Sequence, residues 1–232
     1  MAMVLLPGVM CDAGLWQEMA ADLAPFGPLV YGDLASDSEL EAMAASVLRQ
    51  APERFTLVGF SMGGFVAREM FRQAPERVEK LMLIATSSER DSAQTQAFKT
   101  ATARSLQSAS GEFRGLSQKS IALSLSKKHA EDERLREKIY QMSLRMGKAA
   151  YCRQLLMARN SDTHLLSQIR CPTLVIAAAE DRMRTVQESQ TLCDEIPHAE
   201  LKVIADSGHM LPLEQPATLA KTMIAWLQKR AV

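Results

Sequence analysis

The sequence predicts an α/β protein: a mostly parallel, doubly wound sheet of about six strands, with a helical insertion before the penultimate strand. Three observations predict it. Short apolar runs bounded by turn residues recur along the chain. The segments between them carry helical spacing. This alternation breaks once, over residues 92–167.

The candidate strands are Val4–Leu6, Leu29–Tyr31, Phe55–Val58, Leu81–Ala85, Leu174–Ala178 and Leu201–Ile204. Their length and β-branched content suit parallel strands buried on both faces. Between them, Leu40, Met43, Ala44, Val47 and Leu48 share one helical face. Residues 65–71 follow the third strand as a helix. Leu219, Met223, Trp226 and Leu227 repeat in the same way near the end. Strands alternating with helices connect by right-handed crossovers.

Residues 92–167 contain no strand-like run and no proline, and are rich in Ser, Gln, Lys and Arg. Leu135, Ile139, Met142 and Met146 mark helical spacing within them. A segment this long is not a simple crossover. It is expected to form a helical cap over one end of the sheet, with residues 1–91 and 168–232 forming the core.

The 232 residues suffice for one domain with a sizeable core. Lys+Arg and Asp+Glu are equal at 27 each. That balance argues against a nucleic-acid partner, which needs a basic surface to neutralise phosphates. No apolar stretch approaches the roughly 20 residues of a membrane span. The start lacks a basic leading segment and reaches Pro7-Gly8 early, unlike a signal peptide. A cytoplasmic location is therefore expected, with no membrane partner. Cys11, Cys152, Cys171 and Cys193 are scattered without a CxxC pair and are expected as free thiols.

Chemistry concentrates first at Gly59-Phe60-Ser61-Met62-Gly63-Gly64. A serine hydroxyl attacks a carbonyl only when it projects from the scaffold beside a base. A sharp strand-to-helix turn projects it, and glycines two positions away on either side relieve the crowding. The bare pattern arises by chance in under about one chain in ten of this length, so its setting decides. Here Phe55–Val58 supplies the strand before it and residues 65–71 the helix after it. The turn also aims a helix N-terminus at the site, which favours developing negative charge.

Four histidines are candidates for the base. His129 lies in the charged run Lys127-Lys128-His129-Ala130-Glu131, expected as a solvated loop or helix end. His164 lies late in the insertion, and His198 follows Pro197 in a turn. His209 falls just past the last strand, where ligand-facing residues gather in open α/β sheets. It is the chosen base. The orienting carboxylate should also stand at a strand end. Asp181, after Leu174–Ala178, is the first choice; Glu180 is the second and Asp206 the third.

A tetrahedral intermediate needs backbone donors. The N–H of Met62, next to the serine, is one candidate. The N–H of Val9, in the loop after the first strand, is the other, with Gly8 letting the chain turn. Cys11 lacks a nearby basic partner in sequence and is set aside as a nucleophile.

Together these motifs resemble the α/β-hydrolase superfamily, in particular its small cap-bearing esterases and lactonases of the enol-lactonase and carboxylester-hydrolase type. The resemblance covers nearly the whole chain. It rests on Leu5-Leu6-Pro7-Gly8, the run from Val58 to Gly64, Cys171-Pro172-Thr173-Leu174-Val175-Ile176, Glu180-Asp181, Ser207-Gly208-His209 and Leu213-Glu214-Gln215-Pro216. It implies the family order Ser61, Asp181, His209 and a cap whose apolar residues shape an acyl pocket. Three departures stand out. Pro7 replaces the histidine usual before the oxyanion glycine. The acid loop reads Arg182-Met183-Arg184-Thr185 where the family continues to a proline. The chain begins at the family's third strand.

The expected function is a serine hydrolase cleaving a small carboxylic ester or thioester through an acyl-enzyme, with no metal or organic cofactor. Lactone opening, carbon–carbon cleavage and perhydrolysis can use the same groups. A ligand-binding homologue without catalysis is the alternative from another class. The expected partner is a small acyl compound. Lys119, Lys127 and Lys128 can face an acidic protein partner, although a solvated helix face is the plainer reading. Oligomeric state is not legible.

Overall fold

The computed structural model describes residues 2–229. Met1 and residues 230–232, assigned above to the ends of the core, lie outside the described residues. All six expected strands form: β1 (Ala2–Leu6), β2 (Leu29–Tyr31), β3 (Phe55–Phe60), β4 (Val78–Ile84), β5 (Thr173–Ala178) and β6 (Glu200–Ile204). They pair in parallel as one sheet, in the order β2-β1-β3-β4-β5-β6. The helices are α1 (Ala20–Leu23), α2 (Leu40–Gln50), α3 (Met62–Gln73), α4 (Ala93–Ser108), α5 (Gln118–Ser124), α6 (Glu133–Leu156), α7 (Val186–Glu195), α8 (Leu211–Glu214) and α9 (Pro216–Leu227).

Period-two alternation explains why the strand runs are apolar throughout. In β1, Met3 and Leu5 join the core on one face, and Val4 and Leu6 the core on the other. In β4, Met82 and Ile84 divide from Leu81 and Leu83 in the same way. Leu23 of α1 and Leu219 and Met223 of α9 cover the first face. Met43 and Val47 of α2, Val66 and Met70 of α3 and Leu192 of α7 cover the second. Truncating a fully buried leucine of this kind to alanine costs about 2–5 kcal/mol.

Strand order reverses between β1 and β3, because β2 lies on one side of β1 and the later strands on the other. In doubly wound sheets the crevice beyond the carboxyl ends at such a point receives ligands. The loop after β1 and the turn after β3 both open there.

The insertion joins the neighbouring strands β4 and β5 and contains α4, α5 and α6. Side-chain caps start its helices: Ser92 accepts from the Thr95 N–H, Ser117 from Ser120 and Asp132 from Leu135. Gly147, at φ 77°, breaks α6. Ile121, Leu125, Leu135, Ile139 and Met142 of the insertion bury themselves in the first-face core together with Trp16, Ile204 and Met210. Among the described residues, no helix is long and apolar enough to cross a membrane.

Candidate active site

The β3–α3 turn carries Ser61 at φ 52° and ψ −113°, a backbone state that costs a non-glycine residue about 1–3 kcal/mol. Its surroundings hold it there. The Ser61 N–H donates to Ile84 O at 2.9 Å, and Ser61 O accepts from the Gly64 N–H at 3.0 Å and the Thr86 hydroxyl at 2.7 Å. The flanking glycines are required by close approach. A Cβ on Gly59 would stand 2.4 Å from Gly63 O, and one on Gly63 would stand 2.5 Å from Leu6 O.

Two loops at strand ends meet this turn. His209, five residues past β6, places Nε2 2.9 Å from Ser61 Oγ. Its Nδ1 lies 2.7 Å from Asp181 Oδ2. Asp181 follows β5, and its side chain is fully buried. The second oxygen of Asp181 accepts the N–H groups of Met183 at 2.7 Å and Arg184 at 2.9 Å. These bonds fix the carboxylate and leave one oxygen for the imidazole. The Phe60 ring packs against His209 at 5.2 Å between centroids.

The geometry therefore joins Ser61, His209 and Asp181 and separates the other candidates. Glu180 points away and accepts the Lys127 N–H at 3.3 Å. Asp206 is exposed, 4.0 Å from Lys128. Burial first, and Asp12 second, push the Cys11 thiol up to about 12, so Cys11 carries no thiolate near neutral pH.

The loop after β1 runs beside the serine, where a Cβ on Gly8 would come within 3.3 Å of Ser61 Cβ. Val9 sits in this loop. Met62 opens α3, where a helix N–H has no intrahelical acceptor. The next residue, Met10, has φ 57° and donates its N–H to Gln154 Oε1 at 2.9 Å. Gln154 comes from α6 and also donates to Leu34 O at 3.0 Å. It is fully buried and ties the insertion to the β1 loop.

A second tie corrects an expectation. His129 does not sit in a solvated loop. Its side chain is 17% exposed and its Nδ1 lies 3.2 Å from the buried carboxylate of Glu214. Glu214 Oε2 also accepts the Ser126 N–H at 2.8 Å, and Oε1 accepts the Gly208 N–H at 2.9 Å. One carboxylate thus joins the residue before His209 to the insertion. Further bonds run parallel to it: Met210 N–H to Ser124 O at 3.1 Å, and the Arg182 guanidinium to the carbonyls of Ala122 and Leu125. Arg182, met above as a departure, is one of these ties. His164 lines a cleft beside Phe65, and His198 lies in its turn at φ 60°. Lys119, Lys127 and Lys128 are exposed.

A parallel sheet of this order, with a strained serine turn after a central strand, defines an α/β-hydrolase architecture. The family model for the alpha/beta hydrolase fold matches residues 40–216, and the chain belongs to that family. A similar relative is the pimeloyl-[acyl-carrier protein] methyl ester esterase of Pectobacterium carotovorum subsp. carotovorum (strain PC1), 42% identical over 93 residues. That match covers 37% of this chain and 36% of the relative. The enzyme of the same name from Vibrio campbellii (strain ATCC BAA-1116) is 33% identical over 93 residues, again 37% of each chain. The chain thus spans little more than a third of the length of the curated relatives it matches. Among solved structures, a thermophilic esterase from Thermogutta terrifontis superposes with a TM-score of 0.84 at 24% identity, covering 98% of this chain and 89% of that one. The enol-lactonase from Burkholderia xenovorans LB400 gives 0.78 at 18% identity, covering 98% and 91%. At these identities the likeness concerns the fold.

Proposed function

We propose that the chain is a serine hydrolase of carboxylic esters acting through an acyl-enzyme. The observation that carries this is the unbroken chain of contacts from Asp181 through His209 to Ser61, at 2.7 and 2.9 Å. His209 Nε2 takes the Ser61 proton as Oγ attacks the ester carbonyl. Asp181 holds the imidazole in the tautomer that leaves Nε2 free to accept, and stabilises the imidazolium that forms. The N–H groups of Val9 and Met62 receive the oxyanion, a donor of this kind being worth about 10²–10³-fold in kcat. The imidazolium protonates the leaving alkoxide. Water, deprotonated by His209, then releases the acid.

The named relatives act on a methyl ester, and a small alkyl ester is accordingly the substrate class we assign. The insertion, residues 92–167, serves as the cap that shapes the acyl pocket. The test is fluorophosphonate labelling alongside hydrolysis of p-nitrophenyl butyrate. The wild type should label at Ser61 and turn over, and Ser61→Ala should lose both, with kcat down by about 10⁴-fold or more. A Ser61→Ala variant as active as wild type removes Ser61 as nucleophile. An unlabelled, inactive wild type favours the binding homologue.

A further inference from the structure

Among the described residues, one charged side chain leaves buried hydrogen-bonding atoms unpartnered. It is Arg159, only 8% exposed, whose Nε and Nη2 have no acceptor. These two atoms form one planar edge of the guanidinium, the edge that grips two oxygens of a single anion. The same edge is filled on Arg68 close by, where Nε and Nη2 donate to the two carboxylate oxygens of Asp162 at 2.7 and 3.0 Å.

Arg159 stands in a cluster of cations. Its guanidinium lies 5.9 Å from the Phe65 ring, which Arg184 approaches at 5.9 Å and Arg68 at 4.7 Å. Asp162 and Ser87 O satisfy Arg68. The carboxylate acting on Arg159 is Asp91, already bonded to Lys99 and 3.5 Å from Arg184. Glu188 takes part of Arg184 at 3.3 Å. Lys99, Arg159 and Arg184 thus share Asp91 and Glu188, which leaves one buried positive charge uncompensated. A buried charge without a partner is strongly unfavourable. Burial first, offset in part by Asp91 and reinforced by Arg184, pulls the Arg159 pKa down to about 10.

Two clefts border the segments that carry this cluster. Asp91 lines a cleft of about 720 Å³ with Glu89, Arg90, Ser92, Ser161 and Thr163. A second cleft, of about 340 Å³, is lined by Phe65, Ala158, Asn160 and Ser161. Arg159 belongs to the stretch 158–165, which contributes residues to both. That stretch and Asp91 are also the two ends of the insertion, where it leaves and rejoins the sheet.

We infer that Arg159, with Lys99 and Arg184, forms a binding site for a small two-oxygen anion, a carboxylate or a phosphate, at the junction of insertion and sheet. Arg159 supplies the bidentate edge, and Lys99 and Arg184 add positive potential. The anion comes from one of two sources: a free ion, or a carboxylate carried by the ester itself. Phe65 stands one helical turn beyond Ser61, so the cluster flanks the catalytic turn. The second source rests on the esterase reading; the first does not.

Two arms separate them. In the first, wild type is titrated with sodium phosphate and with glutarate by calorimetry and by thermal unfolding, against sodium chloride at equal ionic strength. A saturable signal is expected in wild type. It should weaken about 10- to 100-fold in Arg159→Gln and less in Arg159→Lys, which keeps the charge but not the edge. In the second, hydrolysis of mono-p-nitrophenyl glutarate is compared with p-nitrophenyl butyrate. A substrate-borne carboxylate predicts that Arg159→Gln raises KM for the acidic ester alone. Binding of free phosphate or glutarate without that discrimination assigns the free-ion source. Wild type showing no saturable response to either anion and no preference for the acidic ester overturns the site, whatever the variants do. A wild type that hydrolyses neither ester yet binds phosphate through Arg159 overturns the esterase reading and leaves the site standing.

Discussion

Glutamine in place of Glu214 tests how the imidazole is held. The Glu214 side chain is fully enclosed and accepts two backbone N–H groups, Gly208 at 2.9 Å and Ser126 at 2.8 Å, with His129 Nδ1 at 3.2 Å. Glutamine fits the space but keeps one acceptor oxygen. Whichever way it turns, its NH₂ faces one of those N–H groups. A charge-assisted bond worth about 1.5–3 kcal/mol is lost, and the orphaned buried N–H adds to the penalty, for a total of about 3 kcal/mol. For a chain of this size that corresponds to a fall in Tm of roughly 6–12 °C. Gly208 precedes His209, so the loosened loop also lets Nε2 drift from Ser61. A displacement near 1 Å costs up to about 100-fold in rate. Urea unfolding followed by circular dichroism gives the first quantity, and steady-state hydrolysis of p-nitrophenyl butyrate the second. kcat should fall with KM little changed. Glu131→Gln, whose carboxylate is exposed, is the control and should stay within about 0.5 kcal/mol of wild type. If Glu214→Gln matches that control in stability and in kcat, the carboxylate does not hold the loop and the reasoning fails.

Two further expectations follow from other parts of the molecule. A Cβ at Gly63 would meet Leu6 O at 2.5 Å and Pro7 O at 2.6 Å. Gly63→Ala must therefore push the β1 loop from Ser61, destabilising by about 1–3 kcal/mol and lowering kcat about 100-fold through the displaced Val9 donor; unchanged kinetics would show that the loop yields without consequence. Burial first, and repulsion from Arg159 second, pull the Lys99 pKa from 10.5 down to about 8. The unfolded chain then binds more protons than the folded one between pH 8 and 10.5, so the penalty is complete below pH 8 and relieved as pH rises. In phosphate-free buffer, the stability of wild type relative to Lys99→Met should climb across that window, by at most about 1.4 kcal/mol per pH unit. A flat difference refutes it.

The strands were legible because burial on both faces writes a continuous apolar run, and each run is short enough to be separated by its turns. Ser61, Asp181 and His209 all follow strand ends, which made each a candidate by position, but choosing Asp181 over Glu180 and Asp206 drew on the family order as well. What sequence could not supply is the partner of a polar side chain far along the chain. Glu214 and Ser126 are 88 positions apart, and Gln154 and Met10 are 144 apart. His129 reads as solvated because lysines and a glutamate surround it locally, while the carboxylate that draws it in lies on α8. Arg182 and Arg184 register in sequence only as a break from a family pattern. In three dimensions, one reaches carbonyls of the insertion and the other reaches Asp91.

The bonds between residues 122–129 and the loops of Asp181 and His209 bear on how the molecule breathes. Amide protons at Ser126 and Gly208 are held by the two oxygens of a single carboxylate, so a movement of Glu214 that frees one also frees the other. Opening this part of the insertion by displacing Glu214 therefore also loosens the residue before His209. Helix α4, with Ala103 as its one buried residue, makes none of these bonds and is tied instead through Lys99 to Asp91. Amide protection should therefore step down from α5, whose last residue accepts the Met210 N–H, to α4.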